Sequence, residues 1–297
     1  MNILLNEAHE LRSGWKFLVF VILFLIVWVA SGIALSVIYA RSTLPETELT
    51  FLYLNELALF SAAIGSLLLS IRFVDHRPLR AFGIGFIPHW RVHFTTGLIL
   101  ASSMVVTLVV GCLIFGHIQL QWAARQFPAV TILATLALLL LAAATEELVF
   151  RGFPLQILSE GIGRWPAVIA MSALFGALHR SNPNASWLST ANTAIAGILL
   201  SWAYLRTRSL WLPYGIHLGW NAGLGFVFGF PLSGLHLASL WTVNVTGGDT
   251  ILGGAYGPEA GLLATFIFGT SAAIVNSTRI RPSIRAYRGA GEHQFEE

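Results

Sequence analysis

The chain has 297 residues, 56% of them hydrophobic and 10% charged, with a mean hydropathy of +0.73. Soluble domains carry about 25% charged residues, so too little polar surface is present to cover a water-soluble particle of this size. The net charge of +3 does not point to nucleic acid, because the basic residues lie between apolar runs and at the termini, where membrane topology accounts for them.

A bilayer core of about 30 Å needs about 20 apolar residues per helix. Segments of that kind follow one another near 15–40, 51–73, 93–116, 129–158, 165–180, 187–205, 209–230 and 259–278. The expected fold is all-α: a polytopic membrane helix bundle of about eight transmembrane helices. The first run is too long for a signal-peptide core and reads as a retained helix. Segment 165–180 is short and suits a tilted or partly buried helix. No internal repeat stands out, which argues against a transporter built from two related halves. The single cysteine, Cys112, lies in an apolar run and excludes an intramolecular disulfide and a cysteine zinc site.

Charge orients the bundle. Of the 17 Lys and Arg residues, all but Arg41, Arg125, Arg151 and Arg180 fall in 1–16, 72–91, 160–164, 206–208 and 279–297. The positive-inside rule then places both termini in the cytoplasm of a multi-pass protein of the inner cell membrane. The long connection 231–258 falls outside, and its glycine-rich "TGGDTILGGAYGPEAG" suits a turn-rich cap. The tail carrying Arg279, Arg281, Arg285 and Arg288 reads as polar, disordered and attracted to anionic lipid. Three regions result: N-terminal helices over 1–127, a core over 128–230, and loop, last helix and tail over 231–297.

Ionisable groups inside membrane helices are costly and normally face a bundle interior or a wet cavity. Glu56, in "LYLNELALF", either lines the same cavity or pairs with an arginine; because it stands near an outer end, snorkelling is the bland reading. "TEELVFR" is more informative. Glu147 and Arg151 are four residues apart on one helix face and can pair. Glu146 points about 100° away and has no local partner. A free carboxylate there is a candidate general base; a structural Glu–Arg lock is the bland alternative. His179, in "FGALHRSNPNAS", ends the fifth segment and alone reads as an interfacial residue. His217 and Asn221, in "YGIHLGWN", share one face and suit either an interhelical hydrogen bond or a site.

Depth links them. At about 1.5 Å per residue from the expected inner ends, Glu146 and Asn221 lie roughly 18 Å in, His217 roughly 12 Å and His179 roughly 21 Å. Polar residues of three helices at similar depth favour a shared intramembrane site over independent oddities. The residue types suit water-driven amide hydrolysis: a carboxylate base, imidazoles, and an amide that can donate to an oxyanion. Zinc held by Glu146, His179 and His217 is an open alternative, as is a proton or ion relay. H-E-x-x-H and a serine or cysteine nucleophile motif are absent.

Glu146-Glu147-x3-Arg151, Phe175-x3-His179 and His217-x3-Asn221, in this order, resemble the CPBP (Abi) family. It comprises CAAX prenyl endoproteases, described as intramembrane metalloproteases, and bacteriocin-processing or immunity proteins. The similarity covers roughly 128–225. It implies an eight-helix bundle with a cavity open to cytoplasm and lipid. It further implies that Glu146, assisted by His179, activates water, that His217 and Asn221 stabilise the oxyanion, and that Glu147 and Arg151 position the site. Phe175 supports it. The expected partners are the bilayer and a membrane-associated peptide or protein substrate, with prenylation not carried over. A catalytically silent immunity or scaffold protein of the same fold is the main rival.

Overall fold

The computed structural model describes residues 3–5 and 9–277 of the chain. The expected basic tail lies outside these residues. The fold is a polytopic helical bundle. It runs through α1 (Ser13–Ala40), α2 (Glu48–Ser70), α3 (Trp90–Ile114), α4 (Ala129–Phe150), α5 (Phe153–Ile162), α6 (Arg164–Leu178), α7 (Trp187–Thr207) and α8 (Trp211–Asn221). A short α9 (Asp249–Leu252) precedes α10 (Leu262–Ser277). Among the described residues, five spans are long and apolar enough to cross a membrane: α1, α2 with its extension to Asp75, α3, α4 continued by α5, and α7. The stretches expected at 165–180, 209–230 and 259–278 form the shorter helices α6, α8 and α10.

Only Lys16 and Phe20 of α1 are buried in protein. A helix apolar all round and so little covered by its own chain calls for lipid as its solvent. α2 starts at Thr47, whose hydroxyl accepts from Thr50 N, and α7 starts at a capping box between Ser186 and Ser189. The apolar run 129–158, expected as one helix, is broken at Arg151–Gly152. The sequence "RGFP" carries the cause. A Cβ at Gly152 would lie 2.5 Å from Leu148 O, and Pro154 sits in the first turn of the next helix, where its missing N–H costs nothing.

Helix α8 is the most enclosed. Gly215 and Gly219, with Gly223 in the π-helical turn that follows, recur every four residues and meet Gly97, Ala101 and Val105 of α3. A Cβ at Gly215 would lie 2.4 Å from Phe94 O, and one at Gly97 would lie 2.5 Å from Leu212 O. Small residues thus let the two backbones touch. His217 and Asn221 are displaced about 200–240° from Gly215 at 100° per residue. They therefore face the opposite way, into the bundle. α6 approaches α7 by the same device, with Gly176 against Thr190 O and Gly197 against Ser172.

At one end of the bundle an ionic network ties elements distant in sequence. Asp75 accepts from Lys16 Nζ at 3.0 Å and from Arg77, and Arg77 reaches both oxygens of Glu160 at 2.7 and 3.0 Å. Burial opposes the Arg77 charge, but its carboxylate partners outweigh that and hold the guanidinium above its ordinary range. Tyr204 of α7 donates to Gln156 of α5 at 2.9 Å.

At the other end the sequence reading missed a small sheet. β1 (Ile118–Trp122) and β2 (Trp241–Val245) pair antiparallel, with Ile118 opposite Val245. The alternation in "IQLQW" was its signal. The glycine-rich stretch folds against this end. Gly257 has φ +99°, and a Cβ there would sit 1.9 Å from Pro231 O, so only glycine fits that turn.

Candidate active site

Glu146 and Glu147 occupy the last turn of α4, just before the break. Glu147 is 1% exposed and so is Arg151, whose Nη1 donates to Glu147 Oε1 at 3.1 Å. The guanidinium also lies 4.4 Å from the Phe175 ring centroid, a cation–π contact that helps hold a charge away from water. The same Glu147 oxygen meets His217 Nδ1 at 2.8 Å. The pair expected from i, i+4 spacing is therefore present, and it extends to a second helix, α8.

The hydrogen bonds fix both imidazoles. A carbonyl only accepts, so the 2.8 Å contact between His179 Nδ1 and Phe175 O requires a proton on Nδ1. The carboxylate of Glu147 asks the same of His217 Nδ1. In each neutral ring the lone pair then sits on Nε2. His179 Nε2 is 4.0 Å from Glu146 Oε1, and His217 Nε2 is 3.7 Å from Glu146 Oε2. These separations suit a hydrogen bond through a small intervening group more than a direct one. The Phe175 ring stands 4.6 Å from His179 and 6.2 Å from His217, centroid to centroid, and wedges between them.

Glu146, His179, His217 and Asn221 all line one cavity of about 710 Å³, walled by faces of α1, α2, α4, α6, α7 and α8 and by residues of the cap. The Glu146 side chain is 31% exposed, in contrast to Glu147. One carboxylate is thus a buried brace and its neighbour is open to the chamber. Glu56 lines the chamber too, which favours the cavity alternative over snorkelling. α2 turns that face inward: Tyr53, one turn earlier, donates to Ala134 O of α4. Sequence reading also missed Glu259, an isolated carboxylate of the cap. It accepts from Trp220 Nε1 at 3.1 Å and from Ser233 N and Oγ at 2.7 and 2.8 Å. It thereby fastens the cap to α8 beside Asn221.

Zinc held by Glu146, His179 and His217 is an open alternative on the sequence. Among the described residues no group of three or more His, Cys, Asp or Glu is placed to hold a metal ion. The two rings approach different oxygens of Glu146.

Comparison with known proteins bears on the core. Residues 128–223 match the family model of the type II CAAX prenyl endopeptidase Rce1-like proteins. The core is similar to that family. No curated protein and no solved structure matches the chain. The Rce1-like segment holds α4 to α8, and with them Glu146, Glu147, Arg151, Phe175, His179, His217 and Asn221. Helices α1 to α3 and the cap lie outside it, although they supply walls of the same chamber.

Proposed function

We propose that this chain is a membrane-embedded endopeptidase that cleaves membrane-associated peptides or proteins with an activated water. The observation carrying this reading is that both imidazoles are turned, through their Nδ1 atoms, so that both Nε2 atoms meet Glu146 inside an apolar chamber. The Rce1-like core supports the same reading.

Glu146 takes a proton from a water held between it and His179. The hydroxide attacks the peptide carbonyl carbon. The Asn221 amide, on the His217 face of α8, donates to the oxyanion that forms. His217 donates as well when Nε2 carries a proton, and Glu147 then supplies the counter-charge across Nδ1. Collapse of the tetrahedral intermediate breaks the C–N bond, and the proton held by Glu146 passes to the leaving amine. Glu147, Arg151 and Phe175 position the rings. In this reading the functional core spans 128–230, both termini face the cytoplasm of the inner cell membrane, and the glycine-rich cap lies on the outer side.

The test uses purified protein with prenylated and unprenylated membrane-proximal peptides. Wild type is expected to cleave a subset, and Glu146→Ala and His179→Ala to cleave none. Full-rate cleavage by both variants would overturn the site. A wild type that cleaves nothing, with a cellular phenotype lost in Glu146→Ala, would favour the immunity-protein reading.

A further inference from the structure

Among the described residues three carboxylates line the chamber, Glu56, Glu146 and Glu259, and no lysine or arginine does. Each carboxylate has a different claim on it. Glu259 is satisfied by Trp220 and Ser233 of its own chain. Glu146 faces the two imidazoles. Glu56 has neither arrangement: its Oε1 is buried and receives no hydrogen bond. Thr145 is its side-chain hydrogen-bond neighbour, and the Thr145 hydroxyl is shared with Leu141 O at 3.0 Å. The charge acting on Glu56 is that of Glu146, of like sign. Arg151, the cation nearest the chemistry, is committed to Glu147.

A buried carboxylate oxygen without a donor is costly, and a second carboxylate beside it adds repulsion. The wall at this point is therefore complementary to a group that brings both positive charge and N–H donors. A substrate carboxylate would meet two like charges and no cation. We propose that Glu56 is a specificity-determining residue that receives a lysine or arginine side chain of the segment to be cut, close to the scissile bond. This rests on the endopeptidase reading but concerns selection, not turnover.

The experiment takes one membrane-proximal peptide in three forms, with Lys, norleucine or Glu placed in turn at each position flanking the cleaved bond. Cleavage is measured with wild type, and binding with Glu146→Gln, which holds peptide uncut. At one position the Lys form is expected to bind about 10–100-fold more tightly than the norleucine form, the range for a charge-assisted hydrogen bond. Adding Glu56→Gln collapses that ratio. Glu56→Lys transfers the preference to the Glu peptide, a gain that only a folded chamber can give. Equal binding of the Lys and norleucine forms at every position, or a Lys preference that survives Glu56→Gln, overturns the inference. If wild type cleaves Lys and norleucine forms alike, the selection fails and the peptidase stands. If nothing is cleaved but the charge swap redirects binding, the peptidase fails and the selection stands.

Discussion

Replacing Glu147 by leucine removes the direct ion-pair partner of Arg151 and the acceptor that orients His217. Both ends of the Glu147–Arg151 pair are 1% exposed, so water cannot take over from the lost carboxylate. Stranding a buried charge in this way costs about 3–5 kcal/mol. At about 2–4 °C per kcal/mol, the apparent melting midpoint in detergent falls by roughly 6–20 °C. The double variant Glu147→Leu/Arg151→Met removes both charges with apolar groups of similar length and recovers most of that loss. Activity behaves differently. In both variants His217 Nδ1 loses the acceptor that holds it at 2.8 Å, and a misplacement of about 1 Å costs on the order of 10²-fold in rate. The double variant is therefore expected to be stable and slow. Thermal unfolding followed by intrinsic tryptophan fluorescence, with cleavage rates at a temperature where all variants are folded, separates the effects. A single variant as stable as wild type would refute the buried-pair argument, and a fully active double variant would refute the positioning role of Glu147.

Further outcomes follow from the same geometry. Asn221→Ala should lower kcat by about 10²–10³-fold with KM little changed, as for loss of one oxyanion donor; a pure KM effect would assign Asn221 to binding instead. Chelators such as 1,10-phenanthroline should leave the rate unaltered, because Glu146 and the two imidazoles do not form a metal-binding group; inhibition reversed by added zinc would overturn that. Gly215→Ala introduces a Cβ 2.4 Å from Phe94 O, so α3 and α8 must separate. The expected cost is about 1–3 kcal/mol, measured as a lower unfolding midpoint together with a reduced rate.

The membrane class and the inward face of α8 were legible because composition and four-residue spacing express them directly. The Glu147–Arg151 pair followed from spacing alone. Which ring nitrogen faces Glu146 was not legible, since it depends on Phe175 O and on Glu147, groups whose contacts form only in the fold. The break after Arg151 was masked by unbroken hydropathy, although "RGFP" signalled it. Depth counted from residue 158 consequently used a helix end that does not exist, even though the residues it linked do line one chamber. The sequence leaves Glu56 between the cavity and snorkelling, because distance from a helix end says nothing about the direction of a face. Glu259 was missed because its partners, Trp220 and Ser233, come from a different helix and a different loop.

The most direct measurement is single-turnover cleavage in H2(18)O by wild type and by Glu146→Gln, which keeps the shape of the side chain and removes its basicity. Wild type should place one heavy oxygen in the new carboxyl group, and Glu146→Gln should be slower by about 10²–10⁴-fold, the usual contribution of a general base. Cleavage by Glu146→Gln at the wild-type rate, with the same isotope incorporation, would contradict the account.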